Sequence, residues 1–501
     1  MTSQVAGNAL TTSDAEVDAL LGLAAEAAPV LAASDPARRA RLLGALADAL
    51  DAARDELVPL AETETGLSRD RLVGELARTS GQLRMFAKVV LEGSMYEVVL
   101  DDADDSIVPP RPDLRRMLRP LGPVVVFAAS NFPFAFSVLG GDTASALAAG
   151  CPVVVKAHPG HPELSAATAE LAAAVVREQG WPAGAFALVQ GTAAGVRVLS
   201  APEVKAAGFT GSVAGGRALE QVAQGRPDPI PFYGELGSIN PVVVTPAAVA
   251  ERGPEIAAGF VGSFTLGAGQ FCTKPGLLLL PVGHGLEAEI EQAVSAAPAA
   301  PLLTPSIFAS FGSGLAALVE HAGTRLLARS AAAAPDDGRS VTPAVLAVSV
   351  PAFLADLDVL GEECFGPVSL VVEYDGVDEL QRAVDALPGS LVASAHVASE
   401  DADWVGALLE DLVTRTGRLV VNGWPTGVAV TWAMQHGGPH PVTTSSLHTS
   451  VGATAPRRWL RPVAYQGVPE QHLPPALQTA NPWRLPRRVN GVLSPAPVTG
   501  S

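Results

Sequence analysis

Cysteine is scarce: the 501 residues contain three, Cys151, Cys272 and Cys364. So few, and an odd number, give no disulfide framework and point to a reducing, cytoplasmic setting. Long hydrophobic runs are also missing. The longest, such as LLLLPV at 277–282, are far too short to span a bilayer. The opening MTSQVAGNALTTSDAEVDAL lacks the basic stretch and apolar core of a secretory signal. Cations are outnumbered, 33 Lys and Arg against 51 Asp and Glu, for a net charge of −18. That surplus repels phosphate backbones and anionic lipids, so neither nucleic acid nor a membrane is an expected partner. A small anionic ligand would have to find local cations. No metal site is expected either: His158 and His161 are close, but no second ligand pair follows at zinc-like spacing.

What is present describes a globular protein, with 48 % apolar and 17 % charged residues. Residues 14–95 carry apolar positions at helical spacing, clearest in 37–62, after the cap signal Ser34-Asp35-Pro36. Residues 97–120 change character, with DDADD at 101–105 and VPPRP at 108–112, and read as a hairpin or extended arm. From Pro120 the pattern alternates. Strands are predicted at 123–129, 152–157, 186–191, 204–211 and 229–236, with helices at 133–149, 164–179, 192–200 and 214–224 between them. A second strand set follows at 240–245, 277–282, 365–374, 391–398 and 417–424. Such alternation predicts parallel sheets covered by helices. Residues 462–501, rich in proline, read as a tail that wraps or pairs.

Several residues could carry chemistry. Cys272 lies in LGAGQFCTKPG (266–276), a tight segment whose amides can face a reacting atom; it reads as a thiolate nucleophile or as a buried structural cysteine. Cys151 and Cys364 read as packing residues. Glu235, in FYGELGSINP, ends a strand among apolar residues and glycines. Burial there would raise its pKa toward that of a general base, and the other reading is a surface-loop glutamate. Asn131 follows the 123–129 strand, where ligands gather at carboxyl ends; it is an oxyanion donor or a turn former. GFTGSVAGG (208–216) is a glycine-rich strand-to-helix turn suited to phosphate. Lys156 ends its strand, within reach of a ribose or phosphate or simply solvated.

Together, SNFP (130–133), VVVKAHP (153–159), GFTGS (208–212), GELGSINP (234–241), GQFCT (269–273), EECFGPV (362–368) and VNGWPTG (421–427) resemble, in order, the motifs of the aldehyde dehydrogenase superfamily. The resemblance covers roughly 120 to 460. It implies an α/β fold of two doubly wound parallel-sheet domains plus a small oligomerisation arm. Residues 1–97 and 121–237 would form the Rossmann-like cofactor domain and 238–461 the catalytic domain. Residues 98–120 and 462–501 would form the arm and tail of a homodimer or homotetramer. By position, Cys272 matches the nucleophile, Glu235 the base, and Asn131, with the Cys272 N–H, the oxyanion hole. Lys156, Gly211 and Ser212 match contacts to the cofactor's ribose and phosphates, and Glu363 and Phe365 those to its nicotinamide half. The cofactor implied is NADP or NAD. Pro159 stands where NAD-preferring members often carry a glutamate, which favours tolerance of a 2′-phosphate, with Lys156, Arg197 or Arg217 as candidate partners.

A narrower resemblance, in 129–165, 231–241, 421–441 and 450–466, is to the branch containing 2,5-dioxovalerate (α-ketoglutarate semialdehyde) dehydrogenases. It implies an anionic aldehyde substrate, with Phe132 and Phe136 lining the pocket and Arg457, Arg458 or Arg461 meeting the carboxylate; the other reading of this arginine cluster is an interface or surface role. Lys274 departs from the smaller polar residue expected in that branch. The alternatives are a general aliphatic or aromatic aldehyde dehydrogenase, an acylating relative, or a non-catalytic binding protein on the same fold.

Overall fold

The computed structural model describes residues 11–495. Four helices open the chain: Asp14–Ala33, Pro36–Ala52, Arg69–Glu92 and, between the last two, Arg54–Thr65. Their starts are encoded locally. Ser13 and Glu16 form a capping box, and Asp35 accepts the Arg38 N–H with Pro36 in the first turn. Leu42, Leu43, Leu46 and Leu50 meet Leu72, Leu76, Leu83 and Phe86 in one core.

Three large sheets follow, besides a two-stranded one that pairs Ala300–Pro301 with Ser340–Val341. The first is fully parallel, in the order Phe186–Val189, Val153–Lys156, Val124–Phe127, Ala206–Thr210, Phe232–Glu235. Its central strand, three valines and a phenylalanine, is buried throughout, as a strand covered on both faces should be. Strand order reverses between Val124–Phe127 and Ala206–Thr210, and the loops leaving those two strands open onto the crevice where such sheets bind ligands.

The second sheet has seven strands: Arg325–Arg329, Ala344–Ser349, Val368–Tyr374, Leu277–Pro281, Pro241–Val244, Ser390–His396, Thr416–Val421. All pairs are parallel except the Arg325–Arg329 edge. Arg325–Arg329 and its neighbour Ala344–Ser349 were not anticipated from sequence. The third sheet joins Leu460–Gln466, Leu114–Pro120, Val98–Asp101, Arg487–Val489 and Val492–Ser494. Segments 98–120 and 460–494 thus pair with each other. Among the described residues no helix is long and apolar enough to cross a membrane.

One predicted helix is shorter than its sequence suggested. Residues 133–149 are helical only over Gly141–Ala149. Before it, Glu75 Oε1 accepts the Phe134 and Ala135 N–H groups at 2.8 and 3.0 Å, holding 131–136 as a turn beside the helix Arg69–Glu92.

Candidate active site

The segment before Cys272 is bent tightly: Gly267, Ala268 and Gly269 all have positive φ, at 58°, 57° and 68°. At Gly269 a Cβ would stand 2.2 Å from the Gly366 carbonyl oxygen, so only glycine lets the two loops touch. Asn240, itself at φ 48°, fixes the other side. Its Nδ2 donates to the Cys272 and Lys274 carbonyls at 2.8 and 2.9 Å. Lys274 is buried. Its Nζ donates to the carbonyls of Cys364, Gly366 and Val368 at 2.6, 3.2 and 3.0 Å, tying the cysteine loop to the Glu363–Phe365 loop. This explains a long cation where a smaller polar side chain was expected.

Glu235 ends the strand Phe232–Glu235 and pairs across a β-bridge with Thr443. The bridge brings the 436–450 segment alongside, and with it His436 and Ser450, neither of which sequence reasoning had singled out. His436 Nε2 lies 3.5 Å from Cys272 Sγ and 3.0 Å from Glu235 Oε1. Ser450 Oγ donates to Glu235 Oε2, and the buried Oε1 faces the His436 ring nitrogen. Thiol, imidazole and carboxylate therefore form one contiguous group. A cavity of about 20 Å³, room for a single water, borders Glu235, His436 and Ser450.

The electrostatics correct one expectation. Burial does push Glu235 upward, but His436, Ser450 and Arg458 together outweigh it and hold the carboxyl below its ordinary value. The thiol behaves oppositely. Burial first, then the charges of Glu235 and Glu363, push Cys272 well above an ordinary thiol, with only Arg78 opposing. Cys272 therefore rests protonated and must lose its proton before its sulfur can attack. Cys151 and Cys364 are pushed up to about 11, chiefly by burial, and Cys151 Sγ donates to the Trp459 carbonyl at 3.4 Å.

Asn131 is buried, and its Nδ2 donates to the Gln270 carbonyl at 3.1 Å, beside the cysteine segment. The amide's second N–H remains available to a developing oxyanion. Phe132 and Phe136 cluster with Phe271, at centroid distances of 5.5 Å to each other and 5.2 Å from Phe132 to Phe271. The Phe136 ring lies 6.5 Å from His436.

The residues expected to hold a dinucleotide fit one. Ser212 caps the helix Val213–Gln224 by accepting the Gly215 N–H, so this helix N-terminus opens at the strand-order reversal after Gly211. Lys156 is half-buried, and none of the described carboxylates lies within ion-pair distance of it; burial lowers its pKa. Gly195 lets its stem pass, since a Cβ there would stand 2.8 Å from Lys156 Cγ. Glu363 Oε2 accepts the Ser238 N–H at 3.1 Å, and its buried Oε1 has no partner, as an acceptor awaiting ribose hydroxyls would. Burial raises the Glu363 pKa to about 7 against the opposing Lys274 charge. Phe365 is half-buried beside it and Pro159 is exposed. Arg197 and Arg217 are engaged by Asp18 and Glu220, at 2.7 and 2.6 Å.

Of the arginines expected to meet a substrate carboxylate, Arg461 is exposed on the strand Leu460–Gln466 of the third sheet, and the other two are engaged. Arg458 is buried against Asp142 at 2.7 Å, and Arg457 pairs with Glu97 at 2.8 Å. Each guanidinium has its anion within the chain, so neither offers an unneutralised charge to a ligand.

Comparison with known proteins agrees with this geometry. The chain is 47 % identical over 485 residues to alpha-ketoglutaric semialdehyde dehydrogenase 2 of Azospirillum brasilense, covering 96 % of this chain and 92 % of the relative. It is 41 % identical over 466 residues to the alpha-ketoglutaric semialdehyde dehydrogenase of Acinetobacter baylyi, covering 91 % and 87 %. Among solved structures the fold matches 3,6-anhydro-L-galactose dehydrogenase in complex with NAP, with TM-score 0.77, 21 % identity and 91 % and 92 % coverage. It also matches bifunctional proline utilization A, at TM-score 0.76 and 22 % identity, and spans 45 % of that longer chain. Residues 1–453 match the model of the aldehyde dehydrogenase family. By that match and these two relatives, the chain belongs to the aldehyde dehydrogenase family and is an aldehyde dehydrogenase.

Proposed function

We propose that the chain oxidises 2,5-dioxovalerate to 2-oxoglutarate through a thioester on Cys272, using NAD or NADP. The observation that carries the chemistry is the contiguous Cys272–His436–Glu235 group. The substrate rests on the two relatives at 47 % and 41 % identity.

The Cys272 proton leaves to solvent by way of the neighbouring His436 ring, and the sulfur attacks the aldehyde carbon. Asn131 Nδ2 and the Cys272 N–H hold the resulting oxyanion; one such donor lowers a barrier by about 2.7–4 kcal/mol. The bound dinucleotide supplies the acceptor for the hydride that leaves when the oxyanion collapses to the thioester. Glu235, held ionised by His436 and Ser450, then deprotonates a water in the adjoining cavity. That water attacks the thioester carbon and releases carboxylate and thiol. An acyl transfer to another acceptor would need no such base.

Residues 1–97 and 121–237 serve in this reading as the cofactor domain and 238–461 as the catalytic domain. The sheet built from 98–120 and 462–494 is the element on which a cytoplasmic homodimer or homotetramer assembles. With Pro159 in place of a carboxylate, NADP is accepted alongside NAD. The test is NAD(P)H formation from 2,5-dioxovalerate by wild type and by Cys272→Ala; the variant must be inactive.

A further inference from the structure

With Arg457 and Arg458 engaged, the carboxylate of the proposed substrate needs another counter-charge. The helix Arg69–Glu92 carries two arginines seven residues apart, Arg71 and Arg78, on the face turned toward the phenylalanine cluster. Arg71 lies 5.1 and 4.9 Å over the rings of Phe132 and Phe271, and Arg78 lies 5.6 Å over Phe136. Phe271 adjoins Cys272, and Phe136 neighbours His436, so the rings run from the two guanidiniums to the thiol.

Both guanidiniums are under-used. Arg71 Nη2 donates to the Asn131 carbonyl at 2.6 Å, but Arg71 Nη1 and Arg78 Nη1 are buried without a hydrogen-bond partner. Among the described residues neither arginine forms an ion pair. Glu75 sits between them on the helix, but its Oε1 is committed to the Phe134 and Ala135 N–H groups. The two cations share Glu75, and Glu235 acts on Arg78 as well, but none of these carboxylates forms an ion pair with either guanidinium. Arg418, another cation near the thiol, already donates to the carbonyls of Gly427 and Pro425. Partly buried guanidinium N–H groups without an anion are costly, and a carboxylate meets that need by accepting paired hydrogen bonds.

We infer that Arg71 and Arg78 form the anion-binding end of the aldehyde pocket, selecting aldehydes that carry a carboxylate at the far end over neutral aldehydes. This rests on the substrate reading above and names the residues that enforce it.

The test compares kcat/KM for 2,5-dioxovalerate with that for pentanal, a neutral aldehyde of equal length, in the full-length enzyme. In Arg71→Gln and Arg78→Gln the ratio of the two falls by on the order of 30-fold or more, carried by KM for the anionic substrate. Arg71→Lys and Arg78→Lys restore part of it. Glutarate competes with pentanal in wild type, a measurement independent of whether any variant folds. Failure of glutarate to compete, or an unchanged ratio in well-folded glutamine variants, overturns the arginine assignment alone. A wild type that does not prefer 2,5-dioxovalerate to pentanal overturns the substrate reading, and the assignment with it.

Discussion

Replacing Glu235 by Gln should make Cys272 more reactive while making the enzyme slower. The donor atoms of Glu235, Cys272 and His436 all lie within 4.8 Å of one another. At that separation, with an effective dielectric near 20, the carboxylate disfavours the thiolate by about 3.5 kcal/mol. His436 and Arg78 offset part of this. An ordinary cysteine is a few per cent thiolate at neutral pH, and Cys272 is held below that. Glu235→Gln removes the charge and keeps the shape. The rate constant for alkylation of Cys272 by iodoacetamide at pH 7 should therefore rise ten- to a few-hundred-fold. Steady-state oxidation should fall by about 10²–10⁴, because the water attacking the thioester has lost its base. A burst of NAD(P)H near one per active site should persist. Slower or unchanged alkylation would refute the electrostatic reasoning; an unchanged steady-state rate would refute the base.

Other consequences follow from the same geometry. Glu363, raised to about 7, accepts ribose hydroxyls best when ionised. Dinucleotide binding favours the ionised form, so Kd, read by fluorescence quenching, should climb as pH drops from 8 to 6; Glu363→Gln should flatten that slope. Lys274→Met strands three buried carbonyls and should lower stability by about 2–5 kcal/mol in urea titrations. A shift under 1 kcal/mol would show that the lysine is not the tie between the two loops. A thiolate, an imidazole and a carboxylate within 4.8 Å match a tetrahedral zinc site with one open position. Micromolar Zn²⁺ should inhibit reversibly, EDTA should restore activity, and His436→Phe should weaken the inhibition; full activity in excess Zn²⁺ would contradict this.

The sequence disclosed the parts whose physics is local. Val124–Val126 and Val153–Val155 announce strands buried on both faces, and the Ser13 and Asp35 caps mark helix starts. Ala344–Ser349 went unread because its run mixes alanine with few β-branched residues, and the irregular turn at 133–140 because Glu75, some 60 residues earlier, shapes it. Cys272, Glu235 and Asn131 were legible through their motifs. His436 was not, because the β-bridge between Glu235 and Thr443 brings it to the thiol across two hundred residues. Arg71 and Arg78 were not singled out. Their seven-residue spacing around Glu75 was the available signal, but only the ring contacts show where that face points. The zinc-like grouping was invisible for the same reason, its donors lying at 235, 272 and 436.

The central claim is the oxidation of an anionic semialdehyde through Cys272. Its most direct test is absorbance at 340 nm with 2,5-dioxovalerate and with simple aliphatic aldehydes, each with NAD and NADP. The account predicts strong preference for 2,5-dioxovalerate, turnover with either cofactor, and none in Cys272→Ala. Activity confined to neutral aldehydes would contradict the substrate, and undiminished activity in Cys272→Ala would contradict the mechanism.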